Sequence, residues 1–178
     1  MRLFISYSHD SERHGRSVRE LVERLARDNQ SSNLQVVLDQ LLETDPDEGW
    51  PKWCEDGVGE ADKVLVVITA TYRRRYDRTE KPGVGLGATY EGALIRQQVY
   101  DAGLKNPKFR AVVFDPSDLD QIPGRLRGNT IFSPDEPGSY RQLLRWLASP
   151  MSKTVATERP TIPWPKKLPA FQPELANR

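Results

Sequence analysis

KVLVVIT, residues 63–69, is the stretch that decides the fold. Its apolar run from Val64 to Ile68 has no polar residue at alternate positions, so neither face of a strand built from it can meet water. Such a run reads as a central strand covered on both sides, and its β-branched residues suit a pleated backbone. LFISY at 3–7 has the same character. LQVVLD at 34–39, FRAVVFD at 109–115 and the shorter NTIF at 129–132 complete five strand candidates.

Helical patterns fall between them. Asp10 and Ser11 are candidate N-caps for a segment with apolar residues at 18, 21, 22 and 25, one face of a helix ending near Asp28-Asn29. QSSN at 30–33 reads as a turn, and Pro51 suits the first turn of a helix that carries Trp53 and Val58 and stops near Ala61-Asp62. A basic segment from Tyr72 to Lys81 and the stretch GVGLG at 83–87 precede a helix from about Ala88 through Glu91, Leu94, Ile95 and Val99. Tyr140, Leu143, Leu144 and Leu147 mark the last helix. Strands alternating with helices predict an α/β fold, a doubly wound parallel sheet of five strands with right-handed crossovers. Ligands of such sheets bind beyond the carboxyl ends of the strands, here Tyr7 to Asp10, Asp39 to Gly49, Thr69 to Tyr72 and Asp115 to Asp118.

Composition narrows the function. The 178 residues carry 26 Lys plus Arg and 25 Asp plus Glu, a net charge of +1, which gives no overall pull toward nucleic acid or an anionic membrane. One cysteine, Cys54, excludes an internal disulfide, and it reads as a small buried apolar residue. Two histidines argue against a zinc centre, so no metal is expected. No apolar run approaches the ~20 residues that span a bilayer, and the reading is cytoplasmic. After Ser149 six prolines appear between 150 and 173 with no apolar face; this proline-rich tail, 150–178, is expected to be an extended docking arm or a linker beside a domain at 1–149.

The blocks FISYSHDS (4–11), LDQ (38–40), EGWPKW (48–53), ADKVLVVITATY (61–72) and EGALI (91–95), in that order, resemble bacterial SEFIR domains, a branch of the Toll/interleukin-1-receptor (TIR) family. The resemblance covers about residues 1–149 and implies a flavodoxin-like sheet. It also implies one of two activities: a self-associating signalling module, or an enzyme that cleaves NAD+ at the nicotinamide–ribose bond once copies assemble, as in bacterial immunity. NAD+ would be the substrate, with no other cofactor. Partners would be further TIR or SEFIR domains and, through the tail, a sensor.

In cleaving members a glutamate in the helix after the third strand is essential, and the matching position is Glu91. Trp53-Cys54 resembles the family's Trp-Cys pair but precedes the third strand. Ahead of Glu91 stands Gly87-Ala88-Thr89-Tyr90, where many members have tryptophan. A carboxylate alone can serve this chemistry, because nicotinamide leaves without needing a proton and positive charge develops on the ribose. The other use of Glu91 is helix capping. Ser6, Tyr7, Ser8 and Asp10 at the first strand's end, and Asp39 at the second's, are candidate ligand contacts, with capping and bracing as their other uses. Trp50 and Tyr90 are candidate stacking residues or core. GVGLG matches neither phosphate-loop pattern and reads as a gate. His9 receives no role.

Overall fold

The computed structural model describes residues 1–29, 33–77, 79, 86–101 and 106–149, the side chains of 86–91 and 101 excepted. Four parallel strands form its sheet: β1 (Arg2–Ser6), β2 (Gln35–Val37), β3 (Lys63–Val67) and β4 (Phe109–Val112), in the order β2-β1-β3-β4. Leu3 pairs with Lys63 and Ser6 with Val66, while Val64 pairs with Phe109. All five residues of β3 are buried. Each apolar side chain so enclosed contributes roughly 1.5–3 kcal/mol.

The alternation of side chains along the strands sorts the helices into two layers. Leu3, Ile5, Leu65 and Val67 meet helix α1 (Glu12–Asp28) through Val18, Leu21, Val22 and Leu25, and the last helix through Tyr140, Leu143 and Leu147. Phe4, Val64, Val66 and Ile68 face the opposite layer. There lie α2 (Trp50–Glu60), α3 (Ala70–Tyr76), α4 (Leu86–Asp101) and the single turn α5 (Gly124–Arg127). The last helix, α6 (Pro137–Ala148), thus shares its side of the sheet with α1.

The helix ends follow local chemistry. Ser11 caps α1, its hydroxyl accepting from the His14 amide at 3.2 Å; such caps contribute about 1 kcal/mol. Gly49 precedes α2 with φ +80°, a backbone region that favours glycine, and Pro51 occupies its first turn. Lys63, only 1% exposed, sends its ammonium to the end of α6. Nζ donates to the carbonyls of Trp146, Leu147 (3.0 Å) and Ser149 (2.7 Å). A cation at a helix C-terminus satisfies carbonyls left without amide partners. Burial, helped by neighbouring Arg110, pushes the Lys63 amine down to about 8.

Three differences from the sequence reading have local causes. NTIF does not form a fifth strand; only Phe132 pairs, its amide donating to Ala111 and its carbonyl accepting from Val113, both at 2.9 Å. On one side the Asn129 amide turns back to Leu126, and on the other the Ser133 amide donates to the Ser139 hydroxyl, so no ladder extends. Tyr72 does not end a strand; it lies in α3, which Thr69 caps by accepting from the Tyr72 amide at 3.0 Å. Within FRAVVFD, β4 ends at Val112, and the chain leads to Asp115, whose carboxylate accepts from the Ser117 amide and opens a 3-10 helix over Pro116–Gln121. Most of the turn at 30–33, most of GVGLG and the tail 150–178 lie outside the described residues.

Two glycines of α2 give opposite expectations. A Cβ on Gly57 would stand 2.4 Å from Cε2 of the fully buried Phe4, whereas one on Gly59 would meet nothing within 4 Å. Gly57→Ala is expected to cost about 1–3 kcal/mol by overpacking. Gly59→Ala should gain roughly 0.5–1 kcal/mol from helix propensity. Urea unfolding of the two variants checks both signs.

Candidate functional site

The carboxyl edge of the sheet is built on two buried hydroxyl pairs. Ser6 Oγ and the Tyr72 hydroxyl lie 3.0 Å apart, as do Ser8 Oγ and Thr69 Oγ1. Both serines are fully buried. Their hydroxyls therefore tie the end of β1 to the start of α3, an internal bracing that satisfies polar groups water cannot reach.

Above this brace Tyr7, Asp39 and Gln40 form a second network. Gln40 Nε2 donates to the Tyr7 hydroxyl at 2.8 Å and to the Gly15 carbonyl at 3.1 Å. Asp39 accepts from the Gln40 amide at 2.7 Å through one oxygen and meets His9 Nε2 at 2.6 Å through the other. The His9 ring stacks on Tyr7, centroids 4.8 Å apart. Asp39 and Gln40 sit on a short 3-10 turn (Asp39–Leu41), so β1, the first turns of α1 and the chain after β2 are fixed to one another.

A concavity of about 550 Å³ opens beside this network. Tyr7, His9, Gln40, Ser11, Glu12, Gly15, Arg16 and Arg19 line it. Glu12, Gly15, Arg16 and Arg19 fall at i, i+3, i+4 and i+7 on α1, a single helical stripe. Gly15 opens the floor, since a Cβ there would meet only Gln40 Nε2, at 3.5 Å. Two guanidinium groups against one carboxylate suit an anionic visitor.

The expected site residues thus part company. Tyr7 lines the concavity, and Asp39 is joined to its lining residues His9 and Gln40. Ser6 and Ser8 lie beneath it. Asp10 is exposed, and its amide donates to the Ser8 carbonyl at 2.9 Å. Trp50 stands on the other face, edge-on to Trp53 at 5.6 Å, and Trp53 tilts against Phe4 at 5.5 Å. The backbone of Tyr90 and Glu91 belongs to α4; their side chains lie outside the described residues. Residues that sequence reasoning missed are His9, Gly15, Arg16, Arg19 and Gln40. The signal for three of them was present in the α1 stripe that flanks the apolar face.

Among the described residues no three His, Cys, Asp or Glu side chains converge as a metal centre requires. Nor is any described helix long and apolar enough to cross a membrane. On the far side of α1, His14 lies between Tyr7 and Phe114, ring centroids 6.1 Å from each, and its Nε2 is buried without a hydrogen-bond partner. Burial lowers its pKa, against the pull of Asp10 and Asp118.

A family model for the SEFIR domain matches residues 1–143. The chain belongs to the SEFIR domain family. The crystal structure of a prokaryotic SEFIR domain resembles it with a TM-score of 0.62 at 25% identity, covering 83% of this chain and 99% of that one. No curated protein matches. The carboxyl-edge network described above is therefore the loop edge of a SEFIR domain, and the strand order is that of an open parallel sheet wound on both faces.

The His14 arrangement predicts a pH response. Because its folded pKa lies below the ordinary 6.5, the unfolded chain takes up the proton first as pH falls. Stability contributed by neutral His14 is complete above 6.5 and is lost as pH falls through the lower, folded value. Denaturant unfolding between pH 7 and 4 should show this loss in the parent. His14→Phe, which keeps a ring between Tyr7 and Phe114, should flatten that part of the slope.

Proposed function

We propose that this SEFIR domain is a signalling module that works by associating with other SEFIR or TIR domains, its contact segment being the loop from Leu41 to Gly49. One observation carries the reading. Leu41 and Leu42 are 49% and 40% exposed at the end of the rigid 3-10 turn. Exposed Glu43, Asp45, Asp47 and Glu48 follow them directly. Single exposed leucines are ordinary. Two adjacent ones on a turn braced by Gln40 and Asp39, rimmed by charge, have the apolar centre and polar border of an interface. Leu41→Asp/Leu42→Asp should abolish self-association of the concentrated protein in light scattering and leave its unfolding midpoint nearly unchanged. Retained association would remove the loop from the interface.

A second reading is favoured by the position of α4. A Cβ on Gly92 would lie 2.9 Å from the Tyr76 Cα, so the residue next to Glu91 packs on the backbone of α3. That helix is in turn tied to the tip of β1 through Tyr72 and Ser6. On this reading the assembled domain is an NAD+ glycohydrolase of prokaryotic immune signalling, a defence effector. Glu91 is the carboxylate that faces charge developing on the ribose, and neutral nicotinamide departs. Tyr7, Asp10, Asp39, Trp50 and Tyr90 remain its candidate substrate contacts, while Ser6 and Ser8 act by holding the β1 tip. A sensor joined through the tail would supply the trigger. Incubated with NAD+ and a crowding agent, the parent should release nicotinamide, and Glu91→Gln should release at least about 100-fold less. Assembled parent protein that releases none would leave the non-catalytic module.

A further inference from the structure

We infer that two copies of this domain pair face to face, each inserting its Leu41–Leu42 turn into the α1 concavity of the other. The inference rests on the association proposed above and names the surface that receives the loop.

The two halves of this contact are complementary and adjacent. The loop offers two exposed leucines and four exposed carboxylates, Glu43, Asp45, Asp47 and Glu48. Among the described residues none of the four forms an ion pair. The concavity is lined by Arg16 and Arg19, with the His9 ring stacked over Tyr7 and the Gly15 gap beside them. Its volume, about 550 Å³, is ample for leucine side chains. Arg19 also approaches Glu23 at 3.7 Å, an exposed pair that a closer carboxylate can displace. Glu12 is the one carboxylate in the lining and stands in the first turn of α1, where it is held by its own helix end.

Adjacency decides the symmetry. Gln40 lines the concavity, and Leu41 is the next residue, so donor loop and receiving notch share one patch of the surface. A self-complementary patch of this kind is satisfied by a two-fold axis, in which each loop fills the other's notch and nothing remains open for a third copy. Had the notch stood on a distant face, the same contact would run head to tail and grow.

Charge exchange tests this directly. Arg16→Glu/Arg19→Glu makes both patches of one variant acidic, and Glu43→Lys/Asp45→Lys/Asp47→Lys/Glu48→Lys makes both patches of the other basic. Each variant alone should dimerise at least about tenfold more weakly than the parent. An equimolar mixture should recover dimer, because each loop then meets an oppositely charged notch. The mass of the mixture should stop at two copies as concentration rises, and the parent dimer should weaken between 0.05 and 0.5 M salt. Circular dichroism confirms that both variants are folded. If the arginine variant associates like the parent, if the mixture fails to recover, or if the mass keeps growing, the face-to-face pairing is overturned while association through the loop stands. A parent that stays monomeric at every concentration overturns the association itself.

Discussion

Two hydroxyl pairs, Ser6 with Tyr72 and Ser8 with Thr69, hold the working edge of this domain in place. In a parallel sheet the strands end together, and nothing in the ladder itself dictates where the chain goes next. Here the backbone after β1 cannot swing, because both serines are fixed to the first turn of α3. Thr69 binds three ways at once: it ends the run from β3, caps α3, and meets Ser8. Tyr7, between the two serines, is thereby aimed at Gln40, and Gln40 in turn places the 3-10 turn that carries Leu41. A surface loop acquires a rigid base through a relay of short polar contacts.

The same economy of buried polar groups appears at the opposite edge. Lys63 begins β3 with an ammonium that water scarcely reaches. Its desolvation is offset by the unpaired carbonyls at the end of α6, so the first residue of the central strand and the last turn of the chain's final described helix stabilise each other. An apolar residue in its place would take the ammonium donor from the carbonyl of buried Leu147.

Much of the architecture was legible in the residues. The unbroken apolar runs of β1 and β3, the Ser11 cap, the stripe of α1, Pro51 opening α2 and the face of α6 are all local patterns, and local patterns survive into the fold. α3 was hidden because its cap, Thr69, reads as the end of a strong strand, and because Arg73-Arg74-Arg75 masks the i, i+4 pair Tyr72 and Tyr76 that faces the core. NTIF has the composition of a strand, but the amide partners at Asn129 and Ser133 are turn contacts that no composition reveals. The site was least legible. Ser6 and Ser8 have the look of ligand contacts at a strand end, and only partners more than sixty residues away show them to be internal braces. His9, likewise, gains its neighbour Asp39 from a contact across thirty residues.

The grip of Lys63 on Ser149 fixes where the polypeptide departs. That exit stands at the amino end of the strands, whereas Leu41 follows the carboxyl end of β2, so the two are separated by the full height of the sheet. Traction applied at Ser149 would fall on the lysine and on α6, at the end of the sheet remote from Leu41.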